Sequence, residues 1–204
     1  MADRSVTTQT QTHAAVRLPR AERRAQIVEA AARAFLASGY EKTSMEDVAR
    51  AAGVTRLIVY RIFDSKEALY LAVLTAVLDD MASEFELGPG AIAGERPTVA
   101  ITLLGIARRH PDSFRLLWRH TSNQPEFQEL FVLFRSAATD FASALIAEVS
   151  PDPMILQWAA ESVVSHVYES ICLWLDSGDV EADPQFLRMF GDGMRAMVTA
   201  WIEA

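Results

Sequence analysis

GVTRLIVYRIFDSK, Gly53 to Lys66, sets three bulky aliphatic residues, Leu57, Ile58 and Val59, between arginine and aromatic neighbours. A helix buried on every side would strand the guanidinium groups of Arg56 and Arg61 away from water, which is costly for an unpaired charge. A helix bathed in solvent would leave Leu57 and Ile58 uncovered. The stretch therefore reads as a helix with two faces, one turned to a core and the other to a partner that accepts both guanidinium and aliphatic groups.

The residues just upstream define the core face. Thr43-Ser44-Met45-Glu46 has capping-box spacing, and Ser44 with Asp47 offers the same device one residue later, so a short helix begins at Thr43 or Ser44. It ends near Gly53, where glycine takes a positive φ at no steric cost. Ala52-Gly53-Val54 is too short a connection for two helices to run antiparallel. Thr55 is placed to cap the next helix, which carries Arg56 to Phe63. Val48, Ala49, Ala52, Val54, Val59 and Ile62 then face inward between crossed helices, with Ala49 small where the two approach. This is the pattern of a helix-turn-helix. It leaves Arg56, Leu57, Ile58, Tyr60 and Arg61 facing outward.

Charge identifies the partner. The chain of 204 residues is acidic, with formal net charge −8. Residues 1–66 nevertheless hold nine arginines and two lysines against seven acids, a net of +4, while the remainder carries −12. Such asymmetry points to a polyanion at the N-terminal end, and nucleic acid is the leading candidate. A helix fits the major groove of DNA, where arginine donates to guanine O6 and N7 and aliphatic groups pack on thymine methyls. Arg56, Leu57, Ile58 and Arg61 are the candidate base readers. Tyr60, Lys66 and the start of the second helix at Thr43 and Ser44 are the candidate phosphate contacts.

The rest of the chain reads as helix throughout, and the fold class is all-α. Ile27, Ala31, Ala34 and Phe35 recur at helical spacing in a first helix from Arg20 to Ser38, stopped by Gly39. Asp64 or Ser65 opens a fourth helix from about Lys66 to Phe85. The clearest break is GPGAIAGERP, Gly88 to Pro97. Beyond it Pro97, Pro111, Pro125, Pro151 with Pro153, and Pro184 stand where helices start. The expected organisation is an N-terminal polar arm at 1–19, a helix-turn-helix domain at 20–66 and a larger helical domain at 67–204.

Enzyme chemistry finds little support. Gly88-Pro89-Gly90 with Gly94 follows a helix rather than a strand and is mis-spaced for a dinucleotide loop. The four histidines and one cysteine show no metal-ligand spacing, so no cofactor or metal is expected. Cys172, between Ile171 and Leu173, reads as a buried, inert thiol in a reducing cytoplasm. No apolar stretch approaches the ~20 residues that span a bilayer. A helical interaction module without DNA binding would explain the C-terminal core, though not the outward Arg/Leu/Ile/Tyr set.

The segment ARAFLASGYEKTSMEDVARAAGVTRLIVYRIFDSKEALY resembles the DNA-binding region of the TetR family of bacterial transcriptional regulators. Phe35 before Gly39-Tyr40, Thr43-Ser44, Val48-Ala49, Ala52-Gly53-Val54, Tyr60, Phe63 and Lys66-Glu67 carry the resemblance, over about residues 20–75. Leu57-Ile58 depart from it, since the family often has a small residue and then threonine there. The resemblance implies a cytoplasmic homodimer joined through its last two helices, operator DNA as partner, and a small-molecule effector in the C-terminal domain that releases DNA by moving helix four. Val163, Val167, Ile171 and Trp174 on helix eight, with Phe186, Phe190, Met197 and Trp201 on helix nine, are the candidate dimer contacts. Phe114, Leu117, Trp118, Phe127, Phe131 and Phe134, with Trp158, Ser162 and His166, are the candidate lining for a hydrophobic or aromatic effector.

Overall fold

The computed structural model describes residues 18–85 and 97–203. Most of the N-terminal arm and of the Gly88–Pro97 break lie outside the described residues; Pro97 itself opens a helix. Helix α1, Arg20–Ser38, buries Ile27, Val28, Ala31 and Phe35 along one stripe. It stops where expected, at Gly39, whose φ of 82° is open to a residue without a Cβ. Helix α2, Met45–Ala51, starts with a complete capping box: Ser44 Oγ accepts from the Asp47 amide, and the Ser44 amide donates to the Asp47 carboxylate at 3.0 Å. Gly53, at φ 64°, turns the chain into α3, Arg56–Ile62. The Val54 amide donates to the Ala49 carbonyl at 2.9 Å and closes that turn.

Two local expectations shift. Thr55 precedes α3 without a side-chain capping bond, and its carbonyl takes the Ile58 and Val59 amides instead. Phe63 has extended backbone and lies just past the helix, because its ring must turn back into the core.

Helix α4, Lys66–Phe85, is opened by Ser65, whose hydroxyl accepts from the Ala68 amide. It packs on α1 through Leu69, Tyr70 and Val73 and continues into the C-terminal body. That body holds α5 (Pro97–Arg109), α6 (Pro111–Arg115), α7 (Gln128–Leu145), α8 (Pro153–Ser177) and α9 (Asp183–Ile202). The α6 segment does not run on as a regular helix. It widens into a π turn at Leu116–His120, passes through two short 3-10 turns and only then enters α7, three residues later than Pro125 suggests. Helix α7 packs against α8, and α5 contacts α4, α8 and α9. One continuous apolar core runs from Ile27 in α1 to Val198 in α9.

An aromatic cluster joins the N-terminal head to the body. Tyr70 of α4 meets Phe35 at 5.0 Å, Tyr40 at 5.0 Å and Phe127 at 4.6 Å between ring centroids. The Tyr70 hydroxyl lies 3.4 Å from Thr121 Oγ1. Thr121 spends its proton on the Leu116 carbonyl at 2.9 Å, so Tyr70 is the donor. Cys172 is fully buried, and burial pushes its thiol up to about 12, as an inert core residue requires.

Candidate nucleic-acid interface and interior cavity

Helix α3 shows which of its residues are free to meet a partner. At about 100° per residue, Leu57 and Arg61 lie roughly 40° apart, opposite the fully buried Val59. Leu57 is 71% exposed, an unusual state for an aliphatic side chain with core nearby. Arg61 is exposed as well. Arg56 and Tyr60 are exposed on the flank as a pair: the guanidinium carbon sits 5.2 Å over the Tyr60 ring and Nη2 lies 3.5 Å from its hydroxyl. Lys42 and Arg50 add exposed positive charge nearby in sequence, with Arg50 Nη1 paired to Asp47 at 3.0 Å.

Three residues of the outward or phosphate-contacting set sit differently. Ile58 is half-buried and packs on the core, because it lies about 40° from Ile62 around the helix. Thr43 is buried, and its hydroxyl donates to the Gly39 carbonyl at 2.8 Å and toward the Ala34 carbonyl at 3.2 Å. Lys66 is half-buried, with Nζ donating to the Tyr40 carbonyl at 3.0 Å and lying 4.3 Å from the Tyr40 ring centroid. Both side chains close the end of α1 and its loop. Ser44 is exposed, with its hydroxyl held by Asp47. Those contacts, led by the Ser44 hydroxyl, hold the Asp47 carboxyl below its ordinary range.

The body contains a cavity of about 370 Å³ between α4, α5, α7 and α8. Leu78, Met81, Ala82 and Phe85 line it from α4, and Val99 and Leu103 from α5. Phe134, Ala137, Ala138, Phe141, Ala142 and Leu145 come from α7, with Val163, Val164, Val167 and Tyr168 from α8. Of the nine expected lining residues only Phe134 is among them. Phe114, Leu117 and Phe127 are core. Trp118 and Phe131 are half-buried at the aromatic edge, with Trp118 stacked 5.0 Å from Tyr168 and its indole N–H on Glu169. Trp158, exposed, meets Trp201 at 5.1 Å; Ser162 donates to the Trp158 carbonyl; His166 stacks on Phe190 at 5.5 Å. Those three share the outer face of α8. The sequence signal for the wall of this cavity is a set of small residues, Ala137, Ala138 and Ala142, which leaves space where larger side chains would fill it.

The expected dimer set divides in the same way. Val163 and Val167 turn into the cavity, and Ile171 is fully buried in this chain's own core. Trp174 stacks on Phe186 at 4.8 Å, and its indole N–H donates to Asp183 at 2.6 Å. Phe186, Phe190, Met197 and Trp201 remain half-exposed on α9. Beside them lie Met154, 75% exposed, Trp158, 56%, and Met189, 68%. A Cβ placed on Gly191 or Gly193 of α9 would meet nothing within 4 Å.

Comparison with known proteins agrees with this architecture. Residues 27–73 match the family model "Bacterial regulatory proteins, tetR family". The HTH-type transcriptional activator FasR of Mycolicibacterium smegmatis is 45% identical over 67 residues, 33% of this chain and 31% of FasR. The matched stretch thus spans about a third of that curated relative's length. A TetR-like transcriptional regulator from Rhodococcus sp. RHA1 superimposes with TM-score 0.65 at 21% identity, over 88% of this chain and 99% of the other. The structure of AibR in complex with isovaleryl coenzyme A and operator DNA gives TM-score 0.58 at 20% identity, over 83% and 96%.

Proposed function

We propose that this chain, whose residues 27–73 match the family model of the tetR bacterial regulatory proteins, is a cytoplasmic, homodimeric transcriptional repressor of that family whose grip on operator DNA is set by a small molecule in the cavity of the body. Family and fold are those of regulators and not of enzymes. One observation carries the reading: the face of α3 opposite its buried stripe presents Leu57 and Arg61, flanked by Arg56 and Tyr60, on a turn built around Gly53. That face has the size and chemistry of a major-groove reader.

Helix α4 supplies the connection. It meets the head through Leu69 and Tyr70 and, two to four turns later, lines the cavity with Leu78, Met81, Ala82 and Phe85. A ligand wedged against those residues displaces the helix on which the head rides. FasR is an HTH-type transcriptional activator, and AibR was crystallised in complex with isovaleryl coenzyme A and operator DNA; both support a reading in which this fold joins DNA binding to a ligand. The exposed Met154, Trp158 and Met189, with open space over Gly191 and Gly193, support a second copy docking on α8 and α9.

The test is selection of bound sites from random DNA by the full chain, followed by titration at several salt concentrations. Expected are a two-fold-symmetric site and an affinity that falls linearly on log axes with salt, each neutralised phosphate adding about −0.9 to the slope. No enriched site, or binding indifferent to salt, would falsify the reading.

A further inference from the structure

The cavity wall is chemically one-sided. Among the described residues it is built from aliphatic, alanine and phenylalanine side chains, and Tyr168 brings the one hydroxyl. That hydroxyl points at the Met81 sulfur, 3.8 Å away, a weak acceptor it can give up. No charged side chain of the described residues lines the space. Among the described residues, Arg108 binds Asp183, Arg109 binds Asp80 and Glu84, Arg119 binds Glu169 and Asp176, and Arg135 lies over the Trp118 ring, outside the wall. The space opens partly to solvent, but an ion held at its inner wall, beside Tyr168 and away from that opening, would have neither partner nor water, and a single phenol does not replace a hydration shell.

We propose that the ligand of this cavity is an uncharged, mainly apolar molecule of about a dozen non-hydrogen atoms with at most one hydrogen-bonding group, received by Tyr168, and that acids and ammonium ions of the same shape are refused. The size follows from 370 Å³ at roughly 30 Å³ per water-sized unit. The inference rests on the ligand-controlled reading above and sharpens it to a ligand class. Tyr168 also supplies a reporter. It stacks at 5.0 Å on Trp118, while Phe134, itself in the wall, meets Tyr168 edge-on at 5.3 Å.

The experiment titrates the full chain at pH 8 with 1-decanol, decanoate and decylammonium, following tryptophan emission, with Trp118→Phe as the control for the source of the signal. Expected is saturable binding of decanol, lost as a signal in Trp118→Phe, with decanoate and decylammonium at least 30-fold weaker. Ala138→Leu, which fills the space, weakens decanol at least tenfold while retaining a cooperative melt. Either ion binding within tenfold of decanol overturns the charge exclusion, and binding of none of the three overturns the ligand class. Because no DNA is present, a failure here stays separate from a failure to find an operator, which would instead sink the regulator reading.

Discussion

On α3 the difference between an outward side chain and a core residue is a matter of rotation by single residues. Ile58 sits beside Leu57 in sequence, yet the 100° step sends it toward Ile62 and the core while Leu57 stays 71% exposed. Arg61→Ala is expected to lose about 1–3 kcal/mol of operator affinity and to relax preference at one base pair, read by binding to sites substituted base by base. Leu57→Ala should relax preference at a thymine position in the same assay. Ile58→Ala should leave base preference alone and cost about 1–2 kcal/mol of stability, less than a fully buried Ile→Ala, lowering Tm in a thermal melt. Helical periodicity held this distinction already; grouping Ile58 by its neighbours instead of its angle obscured it. Thr43 and Lys66 were less legible, since the carbonyls of Gly39 and Tyr40 to which they donate are brought to them only by the way the chain turns after α1.

At the level of elements, the starts of α2 and α4 follow from the caps Ser44 and Ser65, and Gly39 and Gly53 end α1 and turn the chain into α3 where the sequence places them. The irregular passage after α6 follows from contacts far along the chain. The π turn at Leu116–His120 presents Arg119 to Glu169 and Asp176 on α8, at 2.6 and 2.7 Å, and Trp118 to Glu169, some fifty residues away. Thr121→Val should cost about 1–3 kcal/mol, because the buried Tyr70 hydroxyl loses its acceptor, while the Leu116 carbonyl keeps only the Thr121 backbone amide. For a chain of this length that is a Tm drop of roughly 2–12 °C by calorimetry. The arginine contacts also set an acid limit. Hydrogen bonds from Arg119 to Asp176 and from Arg108 to Asp183 hold both carboxyls below the ordinary aspartate value of about 3.9. Their contribution is complete above that value and disappears as pH falls through the lower folded values, so Asp176→Asn and Asp183→Asn should lower Tm at pH 7 and lose that effect below about pH 4.

For the whole molecule, the all-helical plan and the basic head were legible, while the cavity was not. Looking for aromatics that would touch a ligand picked out Phe114, Leu117 and Phe127, which are packed solid, whereas the hole is made by what is small, Ala137, Ala138 and Ala142. The outer face of α8 and α9 is expected to hold two copies together: Trp158→Glu with Met189→Glu should sediment as a monomer at micromolar concentration and lose operator affinity by at least tenfold, with helical content unchanged by circular dichroism. The cluster of Phe35, Tyr40, Tyr70 and Phe127 bears on how interchangeable such a head is. A splice after Lys66 would carry away Phe35 and Tyr40 and leave behind Tyr70 and Phe127, the rings that cover them. Grafting this head onto a foreign body therefore means transplanting a lock with half its wards: the recipient must bring one ring at the height of Tyr70 on its fourth helix and another where Phe127 stands in the turn before α7, or head and body will meet without the packing that couples them.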